Sequence, residues 1–324
     1  MSFEFQEVQV EEVKCLQLKK EGETVMEILP DHGATLNQLK FKHGDDWISV
    51  VQGYADYKEV PSFPGSRSGI LFPFPNRLKE GKYSYQGIQY QFPTEEKHHG
   101  NAIHGMVRKE AFQLEDYHVN EEGGSAKLSY LYSGDRNYYP FPFGLYLEFR
   151  YSNNQLETFF TVENRGNTKM PVGLGWHPYF KVGQTVIDEV ELKLPIVSQV
   201  MLNEINLPTG EVKDYLRFEN FEPIADSNFD DCFKLIMQDR SAIYSFSQGF
   251  GLALEPSKEF LFLQVYIPGD RQSIAIEPMN CNVDAFNNQE GLMNLEKGST
   301  YKASFTIRAM GQQEYEEIKA DFDD

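Results

Sequence analysis

Leu145-Tyr146-Leu147-Glu148-Phe149-Arg150-Tyr151, then Ser152-Asn153-Asn154-Gln155, then Leu156-Glu157-Thr158-Phe159-Phe160-Thr161-Val162 is the stretch that decides the fold. Residues two apart share a face of a strand. Leu145, Leu147, Phe149 and Tyr151 therefore form one apolar row, with Tyr146, Glu148 and Arg150 on the other side. Leu156, Thr158, Phe160 and Val162 resume the pattern after Asn153-Asn154. Two alternating runs around a short Asn turn read as a β-hairpin.

The same grammar extends in both directions. Tyr83–Tyr85 and Ile88–Phe92 flank Gln86-Gly87 as a second hairpin, and Phe3 to Val13 alternates with period two. Further strands are expected over Lys127–Tyr132, Glu189–Leu194, Phe260–Ile267, Gln272–Glu277 and Tyr301–Ala309. Helical periodicity is scarce: a short terminal helix over Gln312–Phe322, and a turn of one over Tyr54–Val60. There is no linker-like stretch, low-complexity run, internal repeat or βαβ alternation. The expectation is an all-β protein, a large antiparallel β-sandwich with few short helices, forming a single domain over residues 1–324.

The chain has 324 residues, 40% of them hydrophobic, enough for a sizeable core. Its net charge of −19 argues against nucleic acid or an anionic membrane as partner. Cys15, Cys232 and Cys281 are odd in number and widely spaced, without metal or redox spacing, as expected of free thiols in a reducing compartment. Met1 to Phe5 has no basic region leading into an apolar run, and no long apolar stretch follows. A cytoplasmic protein without a membrane span is expected.

Three short segments carry the chemistry: Asn101-Ala102-Ile103-His104-Gly105, Gly173-Leu174-Gly175-Trp176-His177-Pro178-Tyr179-Phe180 and Ile274-Ala275-Ile276-Glu277-Pro278-Met279. If each is extended, His104 shares a face with Ala102, His177 with Gly173 and Gly175, and Glu277 with Ala275. The other faces carry Ile103, Leu174, Trp176, Ile274 and Ile276. The expectation is a shared hollow walled by alanine and glycine. His177 and Glu277 precede proline, which disfavours helix for both and predicts that each lies near a strand end.

A glutamate and two histidines can bind a metal, move protons, or be separately satisfied. No spacing puts two ligands on one element, and adjacent His98 and His99 would point apart on a strand, so no metal is expected. Acid–base chemistry needs an ionised base and a protonated acid at one pH, which this pair can supply. The acidic surroundings would raise a histidine's pKa, and the rate should be bell-shaped in pH, with a carboxylate and an imidazole limb. No P-loop, dinucleotide fingerprint or nucleophile elbow is present, so no cofactor is expected. Gly65-Ser66-Arg67-Ser68-Gly69 has Arg at its centre, and the following Ile70-Leu71-Phe72-Pro73 cannot open a helix.

Beyond the three segments, Pro75-Asn76-Arg77, Leu207-Pro208-Thr209-Gly210, Phe229-Asp230-Asp231, Leu263-Gln264-Val265-Tyr266 and Gly33-Ala34-Thr35-Leu36 complete an ordered set running from about residue 30 to 310. In that set the chain resembles the aldose 1-epimerase (galactose mutarotase) family. The resemblance implies a many-stranded β-supersandwich and a cofactor-free isomerase that interconverts the α and β anomers of a free aldohexose. Glu277 would be the general base at the C1 hydroxyl, and His177 the general acid at the ring oxygen. His104 would assist or hold the sugar, while Asn76, Arg77, Asp230 and Gln264 would bind hydroxyls. A monomer or weak homodimer is expected.

Each assignment has an alternative. Arg77 can simply pair with a carboxylate, Asp231 can take the place of Asp230, and Gln264 can satisfy backbone groups. Trp176 and Phe180 read as core. The aromatic loop with Tyr138, Tyr139, Phe141 and Phe143 can wall a groove or cover a sheet edge. Leu71-Phe72-Pro73-Phe74-Pro75 departs from the Gly-rich stretch of the family's best-known galactose enzymes. Two other functions stay open: a hexose-6-phosphate 1-epimerase, for which Arg67, Lys79, Arg108 and Lys109 would supply cations although the net charge opposes an anionic substrate, and a non-catalytic carbohydrate-binding sandwich.

Overall fold

The computed structural model describes residues 2–236 and 243–320. The hairpin that opened the reading forms as strands Phe143–Ser152 and Gln155–Asn164, paired antiparallel from Phe143↔Asn164 to Ser152↔Gln155. Asn153 and Asn154 both take positive φ, 48° and 59°, as the two-residue turn matching strand twist requires. Leu145, Leu147, Phe149, Leu156, Phe160 and Val162 are buried. Gln86 and Gly87 turn the second hairpin with φ of 50° and 80°.

These strands belong to a nine-stranded sheet ordered Gln113–Val119, Gly123–Tyr132, Phe143–Ser152, Gln155–Asn164, Thr300–Gly311, Phe250–Pro256, Ile243–Ser247, Glu191–Lys193, Glu222–Pro223. An eight-stranded sheet runs Pro208–Tyr215, Val197–Leu202, Asp230–Leu235, Phe262–Tyr266, Ile274–Met279, Gly175–Trp176, Ile70–Leu71, with Tyr179–Phe180 also paired to Ile274–Met279. The strand pairs in both sheets are antiparallel. Aromatic side chains of the two sheets meet: Trp176 lies 6.0 Å from Phe160 and 5.7 Å from Phe305, between ring centroids. Trp176 and Phe180 are core, as read.

A five-stranded sheet from Glu4–Val10 to Asp46–Ser49 docks on the turn of the first hairpin. There Asn154 accepts from the Lys42 N–H at 2.7 Å and donates to the Lys42 carbonyl at 2.7 Å. The alternation from Phe3 to Val13 is two strands, Glu4–Val10 and Val13–Lys20, because Glu11 turns the chain at φ 54°. The terminal helix spans Gln312–Ala320, and Phe322 and Met1 lie outside the described residues. The short helix expected over Tyr54–Val60 is a 3₁₀ segment, Tyr57–Ser62, started by an Asp56 side-chain cap. Tyr139 and Phe143 are buried beside Phe72, so the aromatic loop fills the core. Among the described residues no helix is long and apolar enough to cross a membrane.

Candidate active site

One face of the eight-stranded sheet is polar and aromatic. Pairing sets Asp230 against Tyr266, Tyr266 against Ala275 and Gln264 against Glu277. Residues two apart share a face, so Asp230, Gln264, Tyr266 and Glu277 project together, while Leu263, Val265, Ile274 and Ile276 face the core. Asp231 falls on the opposite parity and accepts from Gln199 Nε2 at 2.7 Å. Register thus puts Asp230, and not Asp231, on the face that carries Gln264 and Glu277.

Glu277 is not at a strand end, as its proline suggested. It lies inside Ile274–Met279. The Ile276 N–H donates to the Pro178 carbonyl and the Asn280 N–H to the Leu174 carbonyl. Pro278 lies between them, where the neighbouring strand is interrupted at His177-Pro178, so its missing donor costs no ladder bond. His177 leaves the ladder at that break. Its Nε2 lies 3.2 Å from Glu277 Oε1.

His104 corrects the extended reading more sharply. Strand Ala102–Ile103 stops before it, and His104 takes φ 61° while Asn76 opposite takes φ 54°. The His104 N–H donates to the Asn76 carbonyl at 2.8 Å, and the Asn76 N–H donates to His104 Nδ1 at 3.2 Å. With Nδ1 an acceptor, the neutral imidazole carries its proton on Nε2. The rings of His104 and His177 meet edge to face at 5.2 Å. Gly105 makes this turn possible: at φ 64°, an added Cβ would lie 2.1 Å from the Phe72 carbonyl oxygen. Gly105→Ala is expected to cost at least about 2 kcal/mol of folding stability, measured as a lowered denaturant midpoint at constant slope.

The four residues expected to bind hydroxyls form a chain of contacts. Arg77 Nη1 donates to Asn76 Oδ1 at 3.1 Å, Asn76 Nδ2 to Gln264 Oε1 at 3.0 Å, and Gln264 Nε2 to Asp230 Oδ1 at 3.0 Å. Arg77 Nη2 closes the ring, 3.8 Å from Asp230 Oδ2. All seven residues singled out from sequence line one cavity of about 380 Å³. Its walls are not the alanines and glycines anticipated. A Cβ on Gly173 or Gly175 would meet Pro75 at 2.9 Å, so these glycines let the Phe74-Pro75 segment pack against the sheet. The lining also includes Tyr179, Tyr266, Glu95, Lys97, His98, Ile103, Arg108 and Lys109. Same-face spacing from Gln264 could have identified Tyr266, and spacing from His177 could have identified Tyr179, whose ring stacks on the imidazole at 5.0 Å.

Electrostatics also departs from expectation. Burial pushes His177 down to about 3, and the nearby Arg108 charge adds to that. Burial holds His104 well below the usual imidazole range, with the His177 and arginine charges acting the same way. Burial raises the Glu277 carboxyl well above the usual carboxylate range, Asp230 pushes it further, and Arg77 opposes. The surface charge of the chain does not govern these groups, because desolvation acts at contact and distant charges are screened within about 8 Å. Each member of the pair is driven toward its neutral form. Glu277 Oε2 and His177 Nδ1 are buried without a hydrogen-bond partner among the described residues.

A sequence model of the aldose 1-epimerase family matches residues 14–308. The chain is 31% identical over 318 residues to the uncharacterized protein YihR of Escherichia coli (strain K12), covering 91% of this chain and 97% of that one. In fold it is similar to a galactose mutarotase-like protein from Clostridium acetobutylicum, with a TM-score of 0.86 at 19% identity over 96% of this chain and 99% of that one. A galactose 1-epimerase from Lactobacillus acidophilus NCFM superposes with a TM-score of 0.80 at 15% identity, over 95% and 98% of the two chains. The sequence match spans most of the chain and the fold agrees with it, and the chain belongs to the aldose 1-epimerase family.

Proposed function

We propose that this protein is an aldose 1-epimerase, interconverting the α and β anomers of an aldohexose by ring opening and closure. The observation that carries the reading is the 3.2 Å contact between Glu277 Oε1 and His177 Nε2 at the cavity of about 380 Å³. At rest the proton of the pair sits on the Glu277 carboxyl. Transfer across the contact gives a carboxylate and an imidazolium without changing the net charge of the pocket. Glu277 then takes the proton of the C1 hydroxyl while His177 Nε2 gives its proton to the ring oxygen. The C1–O5 bond breaks and leaves an open-chain aldehyde. Rotation about C1–C2 presents the other carbonyl face, O5 re-attacks, and the two transfers run backward. The pair ends with the one proton it began with, so no cofactor is required.

His104, held neutral, offers its Nε2–H to a sugar oxygen and adds no positive charge beside the imidazolium. The ring of Arg77, Asn76, Gln264 and Asp230 presents donors and acceptors already fixed by one another, so little ordering remains for the sugar to impose. Asp230→Asn is expected to raise KM about ten-fold by weakening a charge-assisted hydrogen bond, whereas Asp231→Asn, off the cavity, should change kcat/KM less than two-fold. Equal effects of the two substitutions would remove Asp230 from the binding ring.

The active form of the pair is singly protonated. Below the pKa of His177 it holds two protons and has no base. Above the raised pKa of Glu277 it holds none and has no acid. The acid limb therefore belongs to the imidazole, near 3, and the alkaline limb to the carboxyl, the reverse of the ordinary order. The expected profile of kcat/KM is a plateau that opens on the acid side near 3 and closes above the ordinary carboxylate range. A narrow bell between the ordinary carboxylate and imidazole values, about 4.3 and 6.5, would contradict the sharing of one proton.

The activity itself is tested by saturation-transfer NMR or polarimetry on glucose, galactose and their C6 esters, with the uncatalysed rate of each subtracted. Catalysed exchange of at least one sugar supports the reading. Binding without acceleration of any of them overturns it in favour of a carbohydrate-binding role.

A further inference from the structure

The charge of the cavity runs against the charge of the chain. Overall the chain carries 30 Lys and Arg against 49 Asp and Glu. The cavity lining carries four such cations, Arg77, Lys97, Arg108 and Lys109, against three acids, Glu95, Asp230 and Glu277. Of the three acids, Glu277 is driven toward its neutral form.

The distribution within the cavity is uneven. Arg77 and Asp230 pair on the sheet side. The remaining cations gather on the side built from residues 95–109, with a single acid among them. Glu95 is approached by Arg108 Nη2 at 3.1 Å, by Lys97 Nζ at 3.1 Å and by His98 Nε2 at 3.8 Å. Arg108 also donates to Ser66 Oγ at 2.9 Å, which anchors its guanidinium at the wall. Among the described residues Lys109 takes part in no ion pair, and Lys97 and Lys109 are exposed at the mouth. One carboxylate thus faces three permanent cations on this side. The floor of the cavity is the buried pair, with side-chain exposures of 7% for His177 and 2% for Glu277. A sugar whose C1 and ring oxygen reach that floor extends its remote end toward the mouth.

We infer that the aldose this site takes carries a tetrahedral oxyanion, a phosphate or sulfate ester, at the end remote from C1, held by Lys109, Lys97 and the Arg108 side of the cavity. The inference rests on the epimerase reading and narrows its substrate class. An ester of this shape suits the cations present. The arginine fork is already engaged by Ser66 and Glu95, and the two lysines act as mobile point charges that can meet separate oxygens. The net charge of the whole chain, which argued against an anionic substrate, is an average over a surface that the reacting sugar does not touch. Two of the four cations singled out from sequence, Arg108 and Lys109, line the cavity. Arg67 donates instead to the Gly53 carbonyl, and Lys79 is not in the lining.

The test compares catalysed anomer exchange of glucose, glucose 6-phosphate and glucose 6-sulfate, each corrected for its own uncatalysed rate. A kcat/KM at least ten-fold higher for either ester than for glucose is expected, and whichever ester leads identifies the anion. The ester-to-glucose ratio should fall several-fold between 20 mM and 500 mM NaCl, because exposed charges are screened. In the double variant Lys97→Gln, Lys109→Gln the ratio should fall about ten-fold, with circular dichroism reporting the fold. Exchange of glucose as fast as that of both esters would overturn the inference and leave the epimerase reading standing. A ratio unmoved by the double variant would also overturn it. Acceleration of none of the three sugars would instead count against the epimerase reading itself.

Discussion

Glu277→Gln is expected to fold normally and to lower kcat/KM for anomer exchange by about 10²–10⁴-fold, the range that general acid–base groups contribute. The substitution keeps the shape of the side chain, and the amide can still reach His177 across the 3.2 Å contact. What it removes is the capacity to take the C1 hydroxyl proton and to hold the shared one. The same change should not destabilise the protein, and the sign follows from linkage. A carboxyl whose folded pKa lies above its unfolded value gives stability that is complete below the unfolded pKa and is lost as pH rises through the folded one. An amide does not titrate, so the variant escapes that loss. At pH 9 its Tm should equal or exceed that of the wild type while its activity is gone. A Tm markedly below wild type at that pH would mean that Glu277 serves packing, and exchange at the wild-type rate would mean that it is not the base.

The strands that could be read from sequence are those whose pattern is local. The hairpin at Asn153-Asn154 is specified by seven apolar residues and Thr158 at alternating positions and by a turn residue that tolerates positive φ, all within one short window. The same holds for Tyr83–Phe92 and for the strand ending in the terminal helix. Glu191–Lys193 is shorter than the run Glu189–Leu194 expected for it. The 3₁₀ turn over Ile187–Glu189 takes its start, and its place in the sheet is set by partners some 30 and 50 residues away, which no local pattern reports.

At the candidate site the sequence names seven side chains that the fold brings to one cavity, but it does not give their conformation. His104 and Asn76 sit in left-handed backbone, held by two hydrogen bonds between segments 28 residues apart. The only local sign is Gly105, whose requirement comes from the Phe72 carbonyl, a tertiary neighbour. Gly173 and Gly175 stand out in the sequence as small, but smallness beside a histidine does not say which side is approached. Here it is Pro75 that fills the space. Parity carries further than small-residue spacing. Once Gln264 and Glu277 are paired, Tyr266 and Asp230 must share their face and Asp231 cannot. Net charge predicts a raised imidazole pKa, whereas burial lowers it at His177 and His104, because a buried group answers to lost hydration first.

His177→Asn is the complementary substitution and should also lower kcat/KM by about 10²–10⁴-fold. Without the imidazole, Glu277 keeps its own proton: the buried carboxyl has nowhere to deliver it, and desolvation holds it neutral. The variant therefore lacks an acid at the ring oxygen and, through the vanished transfer, lacks the ionised base as well. Two consequences separate this from simple loss of a side chain. The activity that remains should rise with pH, as the Glu277 carboxyl ionises directly to solvent, whereas the activity of the wild type falls as pH rises through the same group. The double variant Glu277→Gln, His177→Asn should be no slower than the slower single variant, because residues that work through one shared proton do not contribute additively. Multiplicative losses in the double variant would mean that acid and base act on the sugar independently. The 3.2 Å contact between Nε2 and Oε1 would then be a packing contact rather than the path of a proton.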